Sequence, residues 1–67
     1  MIPPYQQRVI DEKKELDDRI EKLVAFQDTD VFKALDPVDS GLLIMQANAM
    51  QTYSDLLSHR ILRFGLQ

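Results

Sequence analysis

The chain has no cysteine and a single histidine, His59. Disulfides are therefore excluded, and so is a metal site built within one chain from thiolates or several imidazoles. Its two glycines, Gly41 and Gly65, stand far apart, which leaves no glycine-rich loop to cradle a phosphate with backbone N–H groups. There is no stretch of about 18 apolar residues, the minimum for a membrane-spanning helix. Nor does a basic region precede an apolar run near the start, as an export signal would require. Membrane spanning and export are thus disfavoured, and a cytoplasmic protein is expected. Internal repeats, low-complexity tracts and the period-two alternation of strands are all missing. Cations are outnumbered, with 8 Lys and Arg against 11 Asp and Glu and a net charge of -3. A general binder of duplex nucleic acid or anionic membrane needs the opposite balance, because its affinity comes from neutralising many phosphates.

What is present is helical. From Tyr5 to Phe26 there is neither glycine nor proline, and Val9, Leu16, Ile20, Leu23 and Val24 fall on one stripe at 3.6 residues per turn while most other positions are charged. Pro3 and Pro4 suit a first helical turn, where the missing N–H has no partner to lose. Glu15 precedes Arg19, and Asp18 precedes Lys22, by four residues, the acid-first order that supports a solvated helix face. The stripe has one gap. Between Val9 and Leu16 stand Glu12 and Lys13, so either the partner helix is absent there or the gap is polar for a reason.

From Gln27 the pattern breaks. Asp28-Thr29-Asp30 is a turn and cap cluster, and Val31 to Leu35 suffices for about one helical turn that places Phe32 and Leu35 over the end of a hairpin. Asp36-Pro37 is a strong helix start, with Asp39 adding negative charge to the positive end of the dipole. The second helix runs to Phe64, with Arg60 and Arg63 near its end and Gly65 just beyond. Leu42, Met50, Tyr53, Leu57, Ile61 and Phe64 make one apolar stripe on it. Val38, Met45, Ala49 and Leu56 line an adjacent one, a sector wider than a two-helix hairpin covers. Small Ala47 and Ala49 and adaptable Met45 and Met50 are expected where a further helix approaches.

The expected fold is therefore all-α. One domain, residues 1–67, forms an antiparallel two-helix hairpin (helix about 4–27, corner 28–36, helix about 37–64) that assembles into a homo-oligomeric helical bundle. A chain of 67 residues buries little surface alone and has no disulfide or metal to help, so copies of itself are the expected stabiliser.

Catalytic chemistry finds little support. Asp28, Asp30, Asp36 and Asp39 suggest a calcium loop, but Lys33 falls where the loop's glycine belongs, and these residues read as caps and turns. His59 reads as a polar residue near a helix C-terminus. Ser54 and Ser58 are not placed to use it, and nothing resembles a nucleophile elbow. What remains is Tyr5, Arg8, Glu12 and Lys13, which recur at helical spacing around the gap: a ring, two cations and an acid. A ring that stacks on a base beside cations that meet phosphates is the minimum kit for a nucleotide. The same residues also suit a plain solvated face with Tyr5 packing on the helix end. Tyr53, Arg60 and Arg63 form a comparable set on the second helix, with Tyr53 also readable as core and the arginines as dipole partners.

Across these residues the chain resembles a known group. Tyr5-Gln6-Gln7-Arg8-Val9-Ile10-Asp11-Glu12-Lys13-Lys14-Glu15-Leu16, then Ile20-Glu21-Lys22-Leu23, a corner with Phe32 and Leu35, and the run from Leu42-Leu43 through Met50 and Tyr53 to Arg60-Ile61 are similar to small phage-encoded helical-hairpin proteins grouped with the anti-CBASS and anti-Thoeris sponges. The resemblance implies a protein without catalysis, metal or cofactor, assembled as a homo-oligomer, often a hexamer. Such a protein sequesters cyclic dinucleotide, cyclic trinucleotide or cyclic ADP-ribose signals in the host cytoplasm. It also implies pockets between protomers, with Tyr5 stacking on a base, Arg8 and Lys13 holding phosphates, and Arg60 serving a second pocket. Glu12 and Tyr53 complete the candidate ligand-binding set. Longer members carry more chain ahead of the hairpin, where ligand contacts can lie. Two other classes fit the same sequence, a structural or protein-binding hairpin whose second helix receives a partner's helix, and a small dimeric RNA-binding hairpin.

Overall fold

The computed structural model describes residues 1–65. Three helices follow in order, α1 (Pro4–Phe26), α2 (Asp30–Lys33) and α3 (Pro37–Phe64). Their boundaries follow from local chemistry. Pro4 opens α1, and the Pro3 carbonyl accepts from the Gln6 and Gln7 amides at 3.0 and 3.1 Å. With no capping side chain there, the start of α1 relies on proline's fixed φ alone. The Thr29 hydroxyl does two jobs at the corner. It accepts from the Phe32 amide at 3.2 Å to cap α2 and donates to the Phe26 carbonyl at the end of α1 at 2.6 Å. At α3, Asp36 Oδ1 accepts from the Val38 amide at 2.8 Å, Pro37 occupies the first turn and Asp39 adds its charge there. Gly65 closes α3 at φ -75°, so the chain leaves the helix without the left-handed turn that would need glycine.

α3 runs back along α1. The pairs Tyr5–Phe64, Glu12–Tyr53 and Lys13–Ser54 are in contact, which fixes an antiparallel hairpin measuring 48 × 16 × 14 Å. Phe26 and Phe32 meet edge to face across the corner at 6.0 Å between ring centroids. Phe32 and Leu35 are half-buried there, which is the closure that the sequence suggests.

The seam is built on a period of 3.5 residues. On α3 the inward positions are Leu43, Ala47, Met50, Ser54, Leu57, Ile61 and Phe64, all buried or half-buried at alternating spacings of three and four. On α1 they are Val9, Lys13, Leu16, Ile20 and Leu23. This is the heptad pattern that lets two helices stay in register along their length. Val9, Leu16 and Leu57 form the core, with Ile20, Met50, Ile61 and Phe64 packed on it.

Several sequence expectations change here. Leu42 and Tyr53, expected on one stripe with Met50, Leu57, Ile61 and Phe64, are 56% and 41% exposed; Leu43 and Ser54 hold the corresponding seam positions. Val24 is 49% exposed, because it lies beside the seam rather than on it. Ala47 and Met50 face α1 instead of a further helix. The adjacent stripe of Val38, Met45, Ala49 and Leu56 does stay uncovered.

Candidate functional site

The gap in the α1 stripe is polar for a reason. α3 is present opposite it, and the seam there is closed by hydrogen bonds instead of apolar contact. Lys13 Nζ donates to Asp17 Oδ2 at 2.7 Å and to Ser54 Oγ at 2.9 Å, while the Ser54 hydroxyl donates to the other Asp17 oxygen. The three groups form a closed ring. Ser54 is 1% exposed, a position where an unpaired hydroxyl would cost about 1–3 kcal/mol, and both of its bonding capacities are used. No buried side-chain polar atom among the described residues lacks a partner. The Lys13 bond and then the Ser54 bond hold the Asp17 carboxyl below the usual aspartate range, because both stabilise the ionised form.

Beside this ring, toward the solvent edge, the Tyr53 hydroxyl donates to Glu12. The phenol is held above its ordinary value, chiefly because deprotonation would lose that bond, with desolvation and then the Glu12 charge adding to it. Glu12, Lys13 and Tyr53, three of the six expected ligand-binding residues, are therefore engaged with each other's neighbourhood across the seam. Lys13 in particular is committed to Asp17 and Ser54. It serves the fold rather than standing free for a phosphate. No local sequence pattern assigns Asp17 or Ser54 to this ring. The signal was present in Ser54, a small polar residue at a seam position opposite the Glu12-Lys13 gap.

A second group lies at the end of the hairpin opposite the corner. Tyr5, Arg60, Arg63 and Phe64 line an open cleft of about 230 Å³. The rings of Tyr5 and Phe64 meet edge to face, 6.2 Å between centroids and 80° between planes, so Phe64 props Tyr5 while half of Tyr5 stays exposed. Arg60 and Arg63, one turn apart on α3, form no ion pair with a described residue. Arg8, one turn along from Tyr5 on α1, is likewise exposed and outside any such pair. An exposed ring next to two guanidinium groups that pair with no described residue can hold a planar, anionic molecule, the ring by stacking and the arginines by bidentate hydrogen bonds. Tyr5 and Arg60, expected in separate sets, thus converge in one cleft. Arg63 and Phe64 join them because an antiparallel hairpin sets the start of α1 against the last turn of α3.

A family model described as Sequestin matches residues 3–63, which spans both long helices and their corner. The chain belongs to the Sequestin family. The name denotes sequestration, in agreement with the resemblance to sponge proteins. No curated protein and no solved structure matches the chain. Within this Sequestin chain the matched region contains the whole Lys13–Asp17–Ser54 ring and, of the cleft, Tyr5, Arg60 and Arg63. No helix among the described residues is long and apolar enough to cross a membrane.

Proposed function

We propose that this Sequestin chain is a phage anti-defence sponge acting in the host cytoplasm. It binds a cyclic oligonucleotide or cyclic ADP-ribose-type signal without turning it over, as a homo-oligomer in the manner the sequence suggests. The observation that carries this reading is the cleft of Tyr5, Phe64, Arg60 and Arg63, where a half-exposed ring converges with two guanidinium groups that pair with no described residue. A base stacks on the Tyr5 ring and phosphates meet Arg60 and Arg63; Arg8, one turn along α1 from Tyr5, is outside the cleft lining. The net charge of -3 is no obstacle to a small ligand. At physiological salt, charges beyond about 8 Å are largely screened, so the ligand feels the local arginines rather than the whole chain. Holding a ligand asks for no base or nucleophile at the cleft, and His59 is not among the residues that line it.

Isothermal titration calorimetry with a panel of cyclic dinucleotides, cyclic trinucleotides and cyclic ADP-ribose isomers tests this. Binding to at least one member is expected, weakened at least tenfold by Tyr5→Ala or by Arg60→Ala and little changed by the corner variant Lys33→Ala. Recovery of intact ligand after heat release checks that no turnover occurs. A wild-type protein that ignores the whole panel overturns the reading.

A further inference from the structure

We propose that a second copy of this chain docks antiparallel on the outer face of α3, with the two helices crossing near Ala49 and Thr52. The proposal deepens the self-association in the reading above and names the surface, the orientation and the register that it uses.

α3 is apolar on two sides. One is the seam against α1. The other, about 130° around the helix at 100° per residue, carries Val38, Leu42, Met45, Ala49 and Leu56, all exposed. With the exposed Thr52 between Ala49 and Leu56, these positions repeat the alternating three-and-four spacing of the seam itself, the pattern of a second helix–helix contact. From Val38 to Leu56 the stripe is about 27 Å long at 1.5 Å per residue. The outer face of α1 has no counterpart, being occupied by Asp11, Glu15, Asp18 and Lys22. Among the described residues, the apolar side chains that the hairpin by itself buries are only Val9, Leu16, Ala47 and Leu57, a small core for a chain without disulfides.

The charges at the two ends of the stripe select the occupant. Asp36 and Asp39 lie at its start, and Arg60 and Arg63 continue it beyond Leu56. An antiparallel copy sets each acidic end against the partner's Arg60 and the partner's Arg63, and opposes the two helix dipoles favourably. A parallel copy would set like against like. The midpoint between Val38 and Arg63 falls between Ala49 and Thr52, the smallest residues of the stripe, so the backbones come closest where the side chains permit. Leu42 and Met45 then meet the partner's Leu56. Arg60 and Arg63 also line the cleft with Tyr5, which places each ligand cleft at the rim of this interface, and the five N–H donors of a guanidinium let each arginine meet the partner's carboxylate on one edge and a phosphate on the other.

The absence of cysteine makes the test direct, since single-cysteine variants report only the position chosen. At about 100 μM, analytical ultracentrifugation is expected to show assemblies of at least twice the 7.8 kDa chain. Under mild oxidation Ala49→Cys is expected to form a disulfide-linked pair, because the dyad brings its Cα atoms within the roughly 7 Å that a disulfide spans. Val38→Cys is expected to stay unlinked, its two copies being about 38 Å apart along antiparallel helices. Asp39→Arg is expected to weaken association several-fold, and adding Arg63→Asp to restore it. A monomeric wild type overturns the proposal. So does a Val38→Cys chain that links to itself as readily as Ala49→Cys, or linkage through Glu15→Cys on α1 in place of Ala49→Cys. None of these measurements needs ligand. Calorimetric silence with the expected linkage pattern therefore sinks only the sponge reading, and the reverse combination sinks only the interface.

Discussion

Replacing Ser54 by alanine isolates the polar ring in the seam. The hydroxyl is 1% exposed, accepts from Lys13 at 2.9 Å and donates to Asp17. Hydrogen bonds to charged groups contribute about 1.5–3 kcal/mol each when nothing replaces them. Here replacement is partial, because the Lys13 and Asp17 side chains are 27% and 46% exposed and keep their own 2.7 Å bond, so water recovers part of the loss. A net cost of about 1–2 kcal/mol follows, which in a domain of this size lowers Tm by about 5–15 °C. Thermal melts by circular dichroism at matched protein concentration read it, the matching being needed because association shifts Tm by mass action.

The pH dependence gives an independent check. Asp17 is held below its ordinary 3.8 by Lys13 and Ser54. Its ionised form therefore stabilises the fold fully above that value, and the contribution is lost as pH falls through the lower folded value. Ser54→Ala removes part of that depression, so the gap in Tm between wild type and variant is expected to narrow as the pH drops below about 3.8. Lys13→Leu combined with Ser54→Ala converts the layer to apolar contact and is expected to recover the stability that Ser54→Ala loses, since the buried bonds and their desolvation cost vanish together. A Ser54→Ala melt within 1 °C of wild type at neutral pH, or a gap that stays constant into acid, refutes the account of the ring.

Two further outcomes follow from the seam. Leu57 is fully buried at its centre, and Leu57→Ala is expected to cost about 2–5 kcal/mol, visible as loss of helical dichroism at 25 °C; a variant as stable as wild type would mean the core lies elsewhere. In a Tyr5→Phe background, the ultraviolet titration of Tyr53 is expected above 10.0. Glu12→Gln is expected to lower it, because the amide replaces the carboxylate acceptor that holds the phenol protonated and also removes the charge that repels a phenolate, and a titration unmoved by that substitution denies the Tyr53–Glu12 bond.

Much of this chain is local and was legible as such. Proline in a first turn, an aspartate that caps it and a run without glycine set α1 and α3 to within a residue, because each depends only on neighbours in sequence. The Glu12-Lys13 interruption was also visible, though not its meaning. That meaning lay in Ser54, 41 residues away along the chain from Lys13, and no local rule couples the two. The cleft was half legible. Tyr5, Arg60 and Arg63 stood out as residues able to meet a base and phosphates, but their convergence, and the role of Phe64 behind Tyr5, arise only when the hairpin closes.

The sequence by itself determined two amphipathic helices, a sharp corner and an apolar surplus on the second helix, since periodicity and capping are written residue by residue. Only the tertiary structure decided which of the two apolar faces of α3 turns inward. Hydrophobicity alone does not separate them. The polar ring does, because Ser54 can complete the Lys13–Asp17 pair only if its own face meets α1, and that choice leaves Val38, Leu42, Met45, Ala49 and Leu56 outside.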